Sequence, residues 1–319
     1  MRYLVTGGAG FVGSNLVDRL LAEGNEVDVI DDLSHGSLAN LADARASADG
    51  ALKIHTLDIR SKDTTALIER RTPDIVVHLA AQMDVRVSVN DPVFDAEVNI
   101  IGLVNVLEGA RKANSSKVIF ASSGGTIYGD VPDDALPIRE SQPQRPLSPY
   151  GITKKASTDY LNAYRELYEL DFTSLAFANI YGPRQDPHGE AGVVAIFAGL
   201  LLDGRQCTIF GDGAQTRDYV YVDDVVDSIV RATDRGGGLL CNIGTGVETS
   251  VLQVHDSVAR AVGVEAQPIF AAARPGELQR NALDPGRAAM QLGWQPFTAV
   301  DDGVAETVEY FRAKRAAPA

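Results

Sequence analysis

Short apolar runs recur along the chain, separated by longer stretches in which apolar residues return every three or four positions. The runs are Arg2 to Thr6, Glu26 to Ile30, Leu52 to Leu57, Asp74 to Leu79, Lys117 to Ala121 and Phe172 to Phe177. Runs of this length predict buried strands. The amphipathic stretches Ser14 to Ala22, Ser61 to Arg70, Val93 to Ala113 and Tyr150 to Leu170 predict helices. Strand and helix in alternation predict an α/β fold with a doubly wound, parallel, Rossmann-type sheet. Residues 130 to 149 contain five prolines and read as an irregular surface loop. The second half adds an apolar helix, Val193 to Leu202, and a helix from Asp223 to Arg231 that begins with acids. Residues 1–178 are expected to form the dinucleotide domain, with strands and helices returning from about 217–246. Residues 179–319 form a smaller C-terminal α/β substrate domain.

The first turn carries chemistry. Gly7-Gly8-Ala9-Gly10-Phe11-Val12-Gly13 follows a strand and opens a helix, and the next strand ends in Asp31-Asp32. Glycines there let the backbone approach a pyrophosphate, whose charge lies at the positive end of the helix. Asp31 would accept from the adenosine ribose hydroxyls and repel a 2′-phosphate. Leu33 to Ser37 supplies no Arg or Lys for such a phosphate, which favours NAD over NADP. Ala80 and Ala81, after the fourth run, are small enough for a cofactor to pass close to the backbone. Ser122-Ser123-Gly124-Gly125-Thr126-Ile127-Tyr128-Gly129 is a polar strand end, where open α/β sheets bind ligands. Tyr150 and Lys154 are one helical turn apart, and an ammonium beside a phenol favours phenolate. By itself that pair also fits a solvated helix face. Asn99, in an apolar setting, is either a core amide capping a loop or part of the site. His78 and His188 read as structural and Trp294 as a core anchor.

Composition narrows the partners. The formal net charge of −14 argues against a nucleic-acid or anionic-membrane surface. No apolar run approaches a membrane span. The two cysteines, Cys207 and Cys241, make neither a disulfide framework nor metal spacing, and with no signal peptide they point to the cytoplasm. No metal site is expected.

Ordered blocks along nearly the whole chain resemble the extended short-chain dehydrogenase/reductases of the nucleotide-sugar branch, most of all the short bacterial UDP-glucose 4-epimerases. The blocks are Thr6 to Gly13, Asp58-Ile59, His78-Leu79-Ala80-Ala81, Ser122-Ser123 with Tyr128-Gly129, and Tyr150-x-x-x-Lys154. They continue with Asn179-Ile180-Tyr181-Gly182-Pro183-Arg184, Gly211-Asp212-Gly213, Thr216 to Val220 and Asn242-Ile243-Gly244. The resemblance implies an NAD-dependent NDP-sugar 4-epimerase working through a transient 4-keto sugar and bound NADH. Gly7, Gly10, Phe11, Val12, Gly13, Asp31, Asp58, Ile59, Leu79, Ala80, Ala81, Asn99, Ser122, Tyr150 and Lys154 would hold the cofactor. Asn179 would face phosphate or base, Arg217 and Arg274 would clamp the diphosphate, and Glu277 would accept from the nucleoside ribose.

Related 4,6-dehydratases carry Asp-Glu where this chain has Gly125 and Thr126, and decarboxylases carry a Glu there, so both activities are disfavoured. The hydroxyl that usually assists the tyrosine falls on Gly124, which has no side chain. Thr126 is expected to replace it, with Ser123 as the fallback. Asn281 stands where a bulky residue would narrow the sugar pocket, so UDP-N-acetylhexosamines are expected beside UDP-hexoses. Uronate epimerase, dehydratase and reductase activities remain alternatives, as does a non-catalytic NAD-binding regulator. The Val93–Ala113 and Tyr150–Leu170 helices resemble those of a family homodimer interface, although their apolar stripes could equally be internal core.

Overall fold

A computed structural model describes residues 1–187, 192–274 and 278–316. Six strands alternate with helices as the apolar runs require: β1 (Arg2–Thr6), β2 (Glu26–Asp31), β3 (Leu52–Thr56), β4 (Ile75–His78), β5 (Lys117–Ser123) and β6 (Asp171–Phe177). A seventh strand, Leu239–Ile243, returns from the second half and pairs with β6. The sheet order is Leu239–Ile243, β6, β5, β4, β1, β2, β3, with every pairing parallel. The order reverses direction between β1 and β4, and a crevice opens beyond the strand ends at such a switch point.

Strand periodicity sends successive residues to opposite faces. Val5, Val29 and Val77 therefore join one core with Leu16 and Val17, while Leu4, Ile30 and Val76 join another with Ile68, Leu103 and Phe120. The first core runs on into the second half through Val194, Phe197, Val254 and Trp294. Trp294 is fully buried, and its indole N–H donates to Asp224 O at 2.8 Å.

Three local features depart from the pattern. The helix expected from Val93 to Ala113 is three segments, Pro92–Ala96, a π-helical turn Glu97–Ile101 and Gly102–Lys112, and a separate helix, Val85–Asn90, precedes them. Asp91 separates that helix from Pro92–Ala96 by capping Phe94 N at 3.0 Å, with Pro92 at the first helical position. The next helix, Pro149–Tyr168, starts one residue early because Ser148 caps Gly151 N and Pro149 presets the backbone. Finally, the loop before it is not wholly at the surface. Ile138 is buried and bridges Leu283, with Ile138 N donating to Ala282 O and Asp284 N to Ile138 O.

The second half contributes short strand pairs rather than a second large sheet. Asn179–Tyr181 lies beside Tyr219–Tyr221, Thr216–Arg217 beside Thr249–Ser250, and Thr208–Phe210 beside Ile269–Ala271. Helices Val193–Leu202, Val251–Val262 and Val300–Ala316 pack around them. Among the described residues no helix is long and apolar enough to cross a membrane.

Candidate active site

The glycine turn joins β1 to α1 (Phe11–Ala22) with no room for side chains. A Cβ on Gly13 would lie 2.1 Å from Gly7 O, and one on Gly7 would lie 2.8 Å from Ala80 N. Gly10 is the N-cap of α1 and offers no side chain to the first N–H groups, so those donors are left for a ligand. Asp31, at the end of β2, is buried. Its carboxylate accepts from Ala9 N and Leu33 N, both at 2.9 Å, and retains further acceptor capacity. Burial pushes its pKa up, while these two bonds oppose the shift. Asp58 is tied to Arg60 by a two-point contact and accepts from Arg60 N at 2.8 Å, which holds its carboxyl below the usual range. Ile59 is buried beside it.

Leu79, Ala80 and Ala81 leave β4 half-buried, pinned by Leu79 N to Thr6 O and Ala80 N to Thr6 Oγ1. Asn99 lies in the π-turn and is buried. Its amide bonds Gln82 N at 3.0 Å and Gln82 O at 2.9 Å, so it caps the loop after Ala81 from behind. Ser122 Oγ is buried without a hydrogen-bond partner. An N-terminus lacking a side-chain cap, a turn too tight for any Cβ and an orphaned hydroxyl at the strand end fit a dinucleotide.

Tyr150 lies in the first turn of its helix, facing the end of β5. Burial pushes its phenol up to about 12; the neighbouring Ser123 opposes the rise and the charge of Asp95 adds to it. Lys154 is buried, donates from Nζ to Ala121 O at 2.8 Å, and lies 4.8 Å from the Phe120 ring and 5.7 Å from the Tyr150 ring. Burial brings it down to about 8, opposed by Asp95. His78 stacks near Phe120 and bonds Thr6 Oγ1 through Nδ1 at 2.7 Å. Burial, helped by the charge of Lys154, brings His78 down to about 3.

The neighbourhood of Gly124 differs from the expectation drawn for Thr126. Thr126 Oγ1 donates to Ser123 O at 3.5 Å, within its own turn. Its carbonyl would lie 2.8 Å from a Cβ on Gly151. Thr126 and Gly124 would share a side only in an extended segment, but the strand stops at Ser123, where Thr126 N and Ile127 N both turn back onto Ser123 O. A Cβ on Gly124 would lie 2.3 Å from Leu283 Cδ1, so Leu283 fills the space a side chain there would need.

The substrate-side residues are more scattered. Asn179 is half-buried at a strand start, with Oδ1 3.9 Å from where a Gly125 Cβ would be. Arg217 is half-buried and donates to Thr216 O at 2.7 Å. Arg274 is exposed, with its guanidinium 4.0 Å above the Phe210 ring. Asn281 is buried, and its Oδ1 has no hydrogen-bond partner. Glu277 and His188 lie outside the described residues.

Two acids not singled out in the sequence emerge. Asp218, fully buried, accepts from Thr245 N, Thr245 Oγ1, Gly246 N and Leu283 N, tying the Arg217 strand to the Asn281 segment. Asp95, also fully buried, faces the tyrosine helix. Asp218 follows Arg217 directly in the Thr216-Arg217-Asp218-Tyr219 motif and could have been questioned there. Among the described residues no group of three or more His, Cys, Asp or Glu could hold a metal ion.

Known proteins match this chain over almost its whole length. The profile described as GDP-mannose 4,6 dehydratase matches residues 4–307. A UDP-glucose 4-epimerase of Mycolicibacterium smegmatis is 53% identical over 315 residues, covering 98% of this chain and 99% of the relative. Among solved structures, the Thermotoga maritima UDP-glucose 4-epimerase with UDP-glucose superposes with a TM-score of 0.94 at 41% identity, covering 99% of this chain and 100% of that one. The Thermus thermophilus UDP-glucose 4-epimerase complexed with NAD gives 0.89 at 42% identity, covering 98% and 99%. With a family profile spanning nearly the full chain and these relatives behind it, the protein belongs to the GDP-mannose 4,6-dehydratase family of extended short-chain dehydrogenases/reductases.

Proposed function

We propose that this protein is an NAD-dependent 4-epimerase of UDP-hexoses. The observation that carries the reading is the grouping of Tyr150, Ser123 and Lys154 at the carboxyl end of β5, beside a strand end with no carboxylate at positions 125 and 126. The UDP-glucose and the NAD held by the two solved relatives support the choice of substrate and cofactor. Residues 1–178 would hold the cofactor, with the 217–246 return completing the sheet, and residues 179–319 the sugar nucleotide.

NAD, when bound, supplies hydride exchange and a positive ring charge. Tyr150 takes the proton of the sugar 4-hydroxyl as that carbon is oxidised, and returns it when the 4-keto sugar is reduced on its other face. Protons and electrons thus balance within one turnover. The protein alone keeps the phenol protonated at neutral pH, so Tyr150 becomes a base only when positive charge gathers around it. Lys154 provides one such charge. Ser123 takes the role of the assisting hydroxyl ahead of Thr126, supported by its influence on Tyr150, whereas Thr126 Oγ1 turns onto Ser123 O. Arg217 and Arg274 hold the diphosphate, Asn179 and Glu277 contact the nucleotide, and the unpartnered Asn281 Oδ1 accepts from the sugar or its N-acetyl group. UDP-N-acetylhexosamines are therefore substrates beside UDP-hexoses.

A homodimer is supported by exposed apolar side chains: Val89, Val93 and Ile101 along the three consecutive segments between Val85 and Ile101, and Ile152, Tyr160 and Leu167 on Pro149–Tyr168. The two buried free thiols, Cys207 and Cys241, suit the cytoplasm. The test is incubation with UDP-glucose and with UDP-GlcNAc, followed by separation of the C4 epimers. Conversion of UDP-glucose lost in Tyr150→Phe supports the reading. A 4-keto-6-deoxy product instead of an epimer overturns it in favour of dehydration. Conversion of UDP-glucose without conversion of UDP-GlcNAc removes only the wider substrate range.

A further inference from the structure

Asp95 is a carboxylate with no solvent exposure, in the short helix Pro92–Ala96 just before the π-turn. Three donors converge on it. Gln82 Nε2 reaches Oδ1 at 2.8 Å, Asn99 Nδ2 reaches Oδ1 at 3.1 Å, and Thr153 Oγ1 reaches Oδ2 at 2.9 Å. All three can donate, which is the arrangement an acceptor-only carboxylate requires. Gln82 belongs to the loop after β4, Asn99 to the π-turn that caps that loop, and Thr153 lies between Tyr150 and Lys154. A buried charge with this many partners is costly to install, and removing it leaves several donors unmatched.

We propose that Asp95 is a positioning residue of this site: it clamps the Tyr150–Lys154 turn to the loop after β4 and sets a buried carboxylate against that turn. The proposal rests on the acid–base reading of Tyr150 and Lys154. Its electrostatic part follows from the neighbours. The charge of Asp95 acts on both Lys154 and Tyr150, favouring the protonated form of each. From β4, His78 faces Lys154 but stays neutral above about pH 3. From the preceding helix, Asp84 is turned to cap Arg86 N and Val87 N. From β5 come the Phe120 ring, the Ala121 carbonyl and the Ser123 hydroxyl.

Asp95→Asn is the discriminating substitution, since it removes charge while keeping shape. The asparagine oxygen can face Gln82 and Asn99, and its amide can donate to Thr153 Oγ1, whose own proton then goes to Tyr150 O, 3.0 Å away. Turnover of UDP-glucose is followed against pH for the wild type, Asp95→Asn and Thr153→Val. In parallel, each protein without substrate is titrated by tyrosinate absorbance against the same chain carrying Tyr150→Phe. In Asp95→Asn both limbs of the rate profile and the Tyr150 titration move to lower pH, by about one unit or more. Thr153→Val lowers turnover with its limbs in place. Limbs and titration unmoved in a folded Asp95→Asn protein overturn the proposal, because a purely structural role lowers turnover without shifting them.

If Asp95→Asn alone does not fold, recovery of folding in Asp95→Asn/Lys154→Met carries the same conclusion, and no recovery overturns it. A wild type that does not epimerise, or a Tyr150→Phe variant as fast as wild type, is instead a failure of the functional reading. The absorbance titration then decides on Asp95 alone.

Discussion

At the end of the site beside α1, the candidate contacts are backbone: N–H groups of a glycine turn, a helix terminus and the main chain of Leu79 to Ala81, fixed by a parallel sheet. At the other end they are side chains on loops and two- or three-residue strands, with Arg274 exposed and Arg217 at the edge of a short pairing. A backbone site tolerates almost no change, because adding one carbon collides with main chain that cannot move aside. A side-chain site can lose a member and keep its shape. Damage at the cofactor end should therefore be abrupt, and damage at the sugar end graded.

The largest effect is expected where the two ends meet. Tyr150→Phe should lower kcat on the order of 10³-fold with NAD affinity kept, checked by turnover and by NAD titration. Gly13→Ala should weaken NAD binding on the order of 100-fold, since the new carbon must displace the Gly7 carbonyl at a cost of about 3 kcal/mol. Normal NAD affinity in Gly13→Ala would erase the contrast between the ends. Arg274→Ala should raise KM for UDP-glucose about tenfold and leave kcat nearly intact, the loss of one charged contact at an exposed edge. Thr126→Val should change turnover less than about threefold, where Ser123→Ala costs about ten times more, in keeping with a hydrogen bond to an ionising group. Reversal of that order would restore Thr126 as the assisting hydroxyl.

Acid should also separate the ends. His78, at the end of β4, is depressed from 6.5 to about 3. The unfolded chain takes up its proton near the ordinary value and the folded chain does not. The His78 contribution is thus complete above about pH 6.5 and is lost as pH falls toward 3, at up to ~1.4 kcal/mol per pH unit. Urea unfolding between these limits should show the slope, and it should flatten in His78→Asn.

Much of the cofactor end was legible because it is written in short-range rules: apolar runs for parallel strands, glycines where strand meets helix, Tyr and Lys one turn apart. What the sequence leaves hidden has another cause. Asp95 is followed by Ala96 and Glu97 and preceded by an Asp91-Pro92 break, so it reads as the polar face of a helix start. Only the packing of that segment against the tyrosine helix makes it internal. Alternation favours Thr126 over Ser123 only if it runs on past Ser123, where β5 turns. Sequence leaves Asn99 between two roles, and its bonds to the Gln82 backbone come from a contact across 17 positions that periodicity cannot supply.

Leu283 has a consequence for how such sites change over descent. Its methyl group occupies the volume that any residue larger than glycine at 124 would claim. A serine at 124 therefore needs Leu283 to turn a methyl group aside, a shift the far end of a side chain can make, and it becomes easier once position 283 has shrunk. The two positions are thereby coupled, and the side chain admitted at 124 depends on the residue that stands at 283.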